Sequence, residues 1–171
     1  MKNLLTLISI LLFFSCSTVV LTDFENYNNS TGEFFYENVI QVEGENNSSD
    51  FIYDKLHKWI VFNYVSSNDV IQLEDKENKI LIVKGNFVTN LFGKEGWYSH
   101  TLELNVKDGR YKYSLTVHSY KSIGTGKMYF NSNSMGFKNK IFTDVGTKVN
   151  STISNMINFV EIEKIKQTDD W

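Results

Sequence analysis

Proline is absent from the 171 residues, arginine occurs once, at Arg110, and cysteine once, at Cys16. Missing proline, scarce arginine and nineteen asparagines all follow an A/T-rich codon bias, so the lack of proline carries no structural weight. The single cysteine excludes an internal disulfide and a thiolate metal cluster. With one arginine, the forked donor best suited to phosphate and carboxylate is almost missing. Lys plus Arg is 17 against 20 for Asp plus Glu, a formal charge of -3. That balance speaks against a nucleic-acid or polybasic membrane surface, both of which need clustered cations. Hydrophobic residues at 42% and charged residues at 22% describe a folded domain. The length suits one domain and is short for two.

The N-terminus has the shape of an export signal. Met1-Lys2-Asn3 is followed by an apolar run from Leu4 to Phe14, interrupted only by Thr6 and Ser9. The run is shorter than the ~20 residues of a spanning helix and fits the hydrophobic region of a signal peptide. It ends at Phe13-Phe14-Ser15-Cys16, with a small residue directly before the only cysteine. This junction resembles the lipobox of bacterial lipoproteins, with Phe13 and Phe14 departing from the more usual residues. The resemblance implies cleavage before Cys16, acylation of its sulfur and anchoring of the mature chain in a membrane. On this reading 1–15 is a lipoprotein signal peptide, 16–32 a flexible tether and 33–171 a single domain. The sixteen residues from Ser17 to Gly32, as a coil, span on the order of 20–25 Å.

From Glu33 the pattern becomes ordered. Phe34, Tyr36, Ile40 and Val42 alternate as in a strand ending at Gly44. Ser48 or Ser49 can cap a helix with Asp50 in its first turn and Ile52, Leu56, Trp59 and Ile60 on its apolar side. Val70–Glu74 and Lys79–Lys84 flank a hairpin in which Asn78 could supply a left-handed residue. Tyr98–Val106 and Arg110–Tyr120 flank Lys107-Asp108-Gly109, the strongest turn signal in the chain. Pairing Val106 with Tyr111 places Leu102, Leu104, Val106, Tyr111, Tyr113, Leu115 and Val117 on one side, whereas a one-residue slip would not. The other side then carries Thr101, Glu103 and Asn105 beside Lys112, Ser114 and Thr116. From Asp144, Val145, Val149, Ile153, Met156 and Val160 predict a long C-terminal helix ending near Lys166. Strand, helix, several strands and helix make an α+β domain.

Ile40-Gln41-Val42-Glu43-Gly44, the helix through Ile52-Tyr53 to Lys58-Trp59, Asn68 to Glu77, Lys84-Gly85 and Leu104 to Tyr111 together resemble a known family. It is a domain of unknown function with a TATA-binding-protein-like (TBP-like) fold, common in exported lipoproteins of Bacteroidota. The resemblance covers roughly residues 35–120. It implies a curved antiparallel sheet with a helix after the first strand and a long C-terminal helix, both on one face. It brings no catalytic residues with it.

A search for chemistry is largely negative. His57 has no second ligand at a useful spacing. Strand parity puts His100 on the apolar side and His118 on the polar side, so the two cannot share a metal unless a bulge intervenes. Glu74-Asp75-Lys76-Glu77 lacks calcium-loop spacing. Gly124-Thr125-Gly126-Lys127 lacks the full phosphate-loop pattern, with Met128 where a hydroxyl belongs. No serine sits in a nucleophile elbow. One loop, Asn90 to Trp97, gathers Leu91, Phe92 and Trp97, either as a satellite core or as an exposed recognition patch. The namesake's DNA-binding face is not matched, because Arg110 and Lys112 stand beside Glu103 with few aromatics to wedge between bases.

The chain therefore reads as an envelope lipoprotein, lipidated at Cys16 and facing the periplasm from the outer membrane, without catalytic residues, metal, cofactor or nucleic-acid partner. Its domain is expected to bind an envelope protein, a peptide or a small apolar ligand through a sheet edge or the Leu91–Phe92–Trp97 patch. The alternative is a hydrolase-type or other enzyme with a pocket near His100.

Overall fold

The computed structural model describes residues 24–44, 47–64 and 70–166. Six strands form one antiparallel sheet: β1 (Tyr27–Asn28), β2 (Glu33–Gln41), β3 (Ile71–Asp75), β4 (Ile80–Leu91), β5 (Lys94–Lys107) and β6 (Arg110–Ser122). Two helices, α1 (Ser49–Asn63) and α2 (Lys138–Lys166), complete the fold. The strand order is β1-β2-β6-β5-β4-β3. The central β5–β6 hairpin pairs Val106 with Tyr111, as the alternation requires. Leu102, Leu104, Tyr111, Leu115 and Val117 are all buried beneath the helices. Each such aliphatic side chain contributes roughly 1.5–3 kcal/mol by leaving water.

Helix α1 starts where the Ser48 hydroxyl accepts from the Phe51 N–H at 3.3 Å. Asp108, in the β5–β6 turn, accepts the Ser49 N–H at 2.7 Å and ties that helix end to the hairpin. Ile52, Tyr53, Leu56, Trp59 and Ile60 form the buried stripe of α1. Ile141, Phe142, Val145, Val149, Ile153, Met156 and Val160 form that of α2. This helix begins at Lys138, ahead of the start expected at Asp144.

Three local expectations are corrected. Residues 24–32 are part of the domain and not tether. Tyr27 pairs with Phe34, its ring lies 4.8 Å from that of Phe142, and Phe24 packs on Phe142 at 5.1 Å. A two-residue strand has too few positions to show a period, so only burial of its aromatic reveals it. In the β3–β4 turn the left-handed residue is Lys79, with φ 60°, and not Asn78. Asn78 instead donates its backbone N–H and its amide to the Asp75 carboxylate, at 2.9 and 2.8 Å. Finally, the Asn90–Trp97 segment is not a loop. β4 and β5 run on to Leu91 and Lys94, and Phe92-Gly93, with φ 57° and 72°, make a two-residue turn. Positive φ at both central residues is what a type I′ hairpin turn requires.

Candidate functional site

β4 is longer than the strand beside it. β3 pairs only with Ile80–Val83, so Lys84–Leu91 has β5 on one side and, among the described residues, no strand on the other. A groove of about 600 Å³ runs along this margin, between β4 and the ends of the helices. Trp59, Tyr64, Gly85, Phe87, Ser151 and Asn155 are among the residues lining it. Its far wall is braced by the Trp59 indole N–H, which donates to Asn155 Oδ1 at 2.7 Å and couples α1 to α2. The Asn63 amide donates to the Trp59 carbonyl at 2.9 Å.

His100 lies under this groove. It is 1% exposed, sits opposite Gly85 in the β4–β5 ladder, and stacks on Phe87 with centroids 3.8 Å apart and planes 10° apart. Nε2 is 2.8 Å from the Tyr64 hydroxyl, while Nδ1 is buried without a partner. Burial holds the imidazole down to about 4 and pushes the Tyr64 phenol up. At neutral pH both groups are uncharged, which suits a packed layer better than proton transfer. Gly85 leaves room for the Tyr64 ring. A Cβ there would meet Tyr64 Cε1 at 2.5 Å.

The opposite, open side of the sheet holds a second polar arrangement. The β5–β6 register shifts between Ser99 and His100, so Ser99 pairs with Ser119 and His100 with Val117. His118 is the extra residue of this bulge. It still reaches the open side, so the two histidines stay on opposite faces. His118 Nδ1 is 2.6 Å from Glu33 Oε1, and its Nε2 is 2.8 Å from the Thr101 hydroxyl. Acid, imidazole and hydroxyl are thus in line, the connectivity of a nucleophile with its base. Thr101, however, sits in β5 with β4 and β6 on either side. Its neighbouring backbone N–H groups are committed to the ladder and cannot form an oxyanion hole. His57 is at the surface, 3.5 Å from Glu74. Among the described residues no group of three or more His, Cys, Asp or Glu is placed to hold a metal.

The three patch residues are separated by the hairpin. Leu91 is buried on the helix side, and Trp97, opposite Val88, lies on the open face. Phe92 is half exposed at the turn, where its ring meets Phe137 at 4.9 Å and the Lys140 ammonium at 4.5 Å. Strand alternation, not loop chemistry, decides their directions. Cys16 lies outside the described residues, and among those described no helix is long and apolar enough to cross a membrane.

Residues 35–121 match a family model described as a domain of unknown function (DUF4468) with TBP-like fold. A TBP-like protein from Parabacteroides distasonis superposes with a TM-score of 0.51 at 14% identity, over 74% of this chain and 94% of that one. A DUF4468 family protein from Bacteroides ovatus gives 0.50 at 14% identity, over 74% and 86%. At these identities the likeness concerns the fold alone. No curated protein matches the sequence.

Proposed function

Because this chain belongs to the family of DUF4468 domains with a TBP-like fold, a family that carries no assigned activity, we propose a function from its own surface: a non-enzymatic binding module, held in the bacterial envelope through acylated Cys16, that accepts an extended segment of an envelope protein as an additional strand on β4. The observation that carries this reading is the margin of Lys84–Leu91, which among the described residues pairs with no strand and lies beside a groove of about 600 Å³. An edge of this kind presents a row of backbone donors and acceptors that a second extended chain can complete. Gly85 and the exposed Asn86 and Val88 leave the strand accessible. Tyr64, Val70 and Phe87, all only partly buried, offer apolar contact for side chains of the incoming strand.

Acylation at Cys16 supplies the location, with outer-membrane attachment facing the periplasm. Two or three acyl chains at ~0.8 kcal/mol per buried methylene hold a protein on a membrane without any spanning helix. The net charge of -3 and the single arginine support the absence of a nucleic-acid partner. A second reading, an esterase-like enzyme, rests on the aligned Glu33, His118 and Thr101 and requires an oxyanion donor other than the ladder N–H groups beside Thr101. Acylation of Thr101 by an activated-ester probe, lost in His118→Asn, would support it.

The test has two arms. Palmitate fed to producing cells should label the wild type and not Cys16→Ser. Amide exchange at 84–91 should be slower in protein extracted from its native membrane than in protein made in a foreign host, and Val88→Lys should abolish the difference at unchanged melting temperature. Equal exchange in both preparations overturns the edge assignment.

A further inference from the structure

A second cleft, on the open face, is built differently from the edge groove. It encloses about 530 Å³ and is lined by Asn86, Trp97, Ser99, Ser119, Lys121 and Lys127. The register sets these side chains out in two rows. Trp97 faces Lys121 across the β5–β6 ladder, and Ser99 faces both Ser119 and, across β4, Asn86. Lys127 comes from the loop after β6. That loop is pinned by two backbone bonds between Met128 and Tyr120, at 2.8 and 2.9 Å. The Lys127 ammonium lies 5.1 Å from the Tyr129 ring centroid. The chain carries a net charge of -3, yet both charged residues lining this cleft are lysines.

We propose that this cleft binds a sugar ring bearing an anionic group, with the ring against Trp97 and the anion between Lys121 and Lys127. The indole offers a flat apolar face to the C–H side of a pyranose. The hydroxyls answer its edge. Ser99 and Ser119 are bonded to each other at 2.6 Å, so one hydroxyl hydrogen and several lone pairs of the pair remain for a ligand. Asn86 adds a donor and an acceptor one strand away. The volume lies within the ~300–1,000 Å³ usual for small-molecule clefts. Lysine supplies a point charge where arginine would supply a fork, which suits a carboxylate or phosphate free to turn. A nucleotide fits less well, because no second aromatic among the lining residues closes over the other face of a base. Trp97 and Asn86 also border the edge groove, whereas Ser119, Lys121 and Lys127 belong to this cleft alone.

Titration calorimetry on the detergent-solubilised full chain tests the assignment, with D-glucuronate, glucose 6-phosphate, D-glucose, inorganic phosphate and AMP as probes. Glucuronate or glucose 6-phosphate should bind at millimolar or lower concentration, at least about tenfold more tightly than glucose or phosphate. Tighter glucuronate marks a carboxylated sugar, and tighter glucose 6-phosphate a phosphorylated one. Lys121→Gln with Lys127→Gln should bring the acidic sugars down to the level of glucose. Trp97→Ala should weaken every sugar about tenfold, with an unchanged near-ultraviolet dichroism signature of the remaining core. No heat with either acidic sugar, equal binding of phosphate alone, tighter AMP, or lysine variants that bind as the wild type would each overturn it. Lys121→Gln with Lys127→Gln, which lie outside the edge groove, should leave the slowed exchange at 84–91 intact, so the two readings fail separately.

Discussion

The Tyr64 hydroxyl stands 2.8 Å from Nε2 of His100, and no other polar group of either side chain finds a partner in the surrounding layer. Nδ1 makes no hydrogen bond, and the favourable pull of the Tyr98 backbone on the imidazole is outweighed by burial. A buried polar group in that state penalises a second proton strongly.

Acid should therefore weaken the fold in a defined window. Burial lowers His100 from 6.5 to about 4. The unfolded chain takes up a proton on this histidine below about pH 6.5, while the folded chain resists until about pH 4. The stability owed to neutral His100 is complete above pH 6.5, falls between 6.5 and 4, and is gone below. The drop is on the order of 3 kcal/mol. Urea melts across this range should show that slope in the wild type and a much shallower one in His100→Gln. The carboxylates of Glu37, Asp50, Asp75 and Asp108 are held low by hydrogen bonds from Lys112, Lys79, Asn78 and Ser49, respectively. Their contribution is present above the ordinary carboxylate range and lost below it, outside the histidine window.

Gly85→Ala should displace Tyr64. The new Cβ would lie 2.5 Å from Cε1 and 2.9 Å from Cδ1 of that ring, too close for either atom to remain. Overpacking of this kind costs about 1–3 kcal/mol. The measurement is equilibrium unfolding together with histidine titration by NMR. His100, deprived of its phenol and opened to the groove, should titrate nearer its ordinary value. An unchanged titration would mean that Tyr64 does not shield it.

Asp144 joins α2 to the sheet by accepting from the Thr89 and Tyr98 hydroxyls, at 2.5 and 2.8 Å. Both donors are buried. Asp144→Ala strands two hydroxyls and should lower stability by about 2–4 kcal/mol, whereas Asp144→Asn, which keeps an acceptor oxygen, should lose less than half of that. Thermal unfolding of the pair of variants distinguishes a hydrogen-bond role from loss of bulk.

Phe92→Asn sets two effects against each other. Asparagine tolerates the left-handed backbone at φ 57° better than phenylalanine does. The substitution also removes the contacts with Phe137 and Lys140. The net change should stay within about 1 kcal/mol in either direction. A larger loss in denaturant melts would show that the Phe92–Phe137 contact holds the hairpin tip to the start of α2.

Much of the scaffold was legible before any coordinates. Leu102, Leu104, Val106, Tyr111, Tyr113, Leu115 and Val117 alternate without interruption, and only one register buries them all. The α1 stripe is equally plain, while the choice of Ser48 over Ser49 as its cap comes from the structure. Lys84–Leu91 escaped notice for a physical reason: its inward positions are Gly85, Phe87, Thr89 and Leu91, and two of the four have little apolar side chain to show. Alternation therefore marks the strand only as far as Lys84, and Asn90–Trp97 reads as a connection. Parity placed His100 and His118 on opposite sides, but Glu33 as a partner of His118 depends on the β2–β6 pairing, across 85 residues of sequence. Nothing local announces that contact.

The seam by which β1 joins β2 has a mechanical consequence. With β1 counted into the sheet, only residues 17–23 separate Cys16 from the packed Phe24, a leash that reaches no more than about 28 Å when taut. Lipidation would hitch the molecule by one flank, while the free margin of β4 lies four strand intervals away, about 19 Å across the sheet. Were Cys16 acylated, the attachment would stand on the β1 side of the sheet, across from the margin at which a visiting chain is proposed to add.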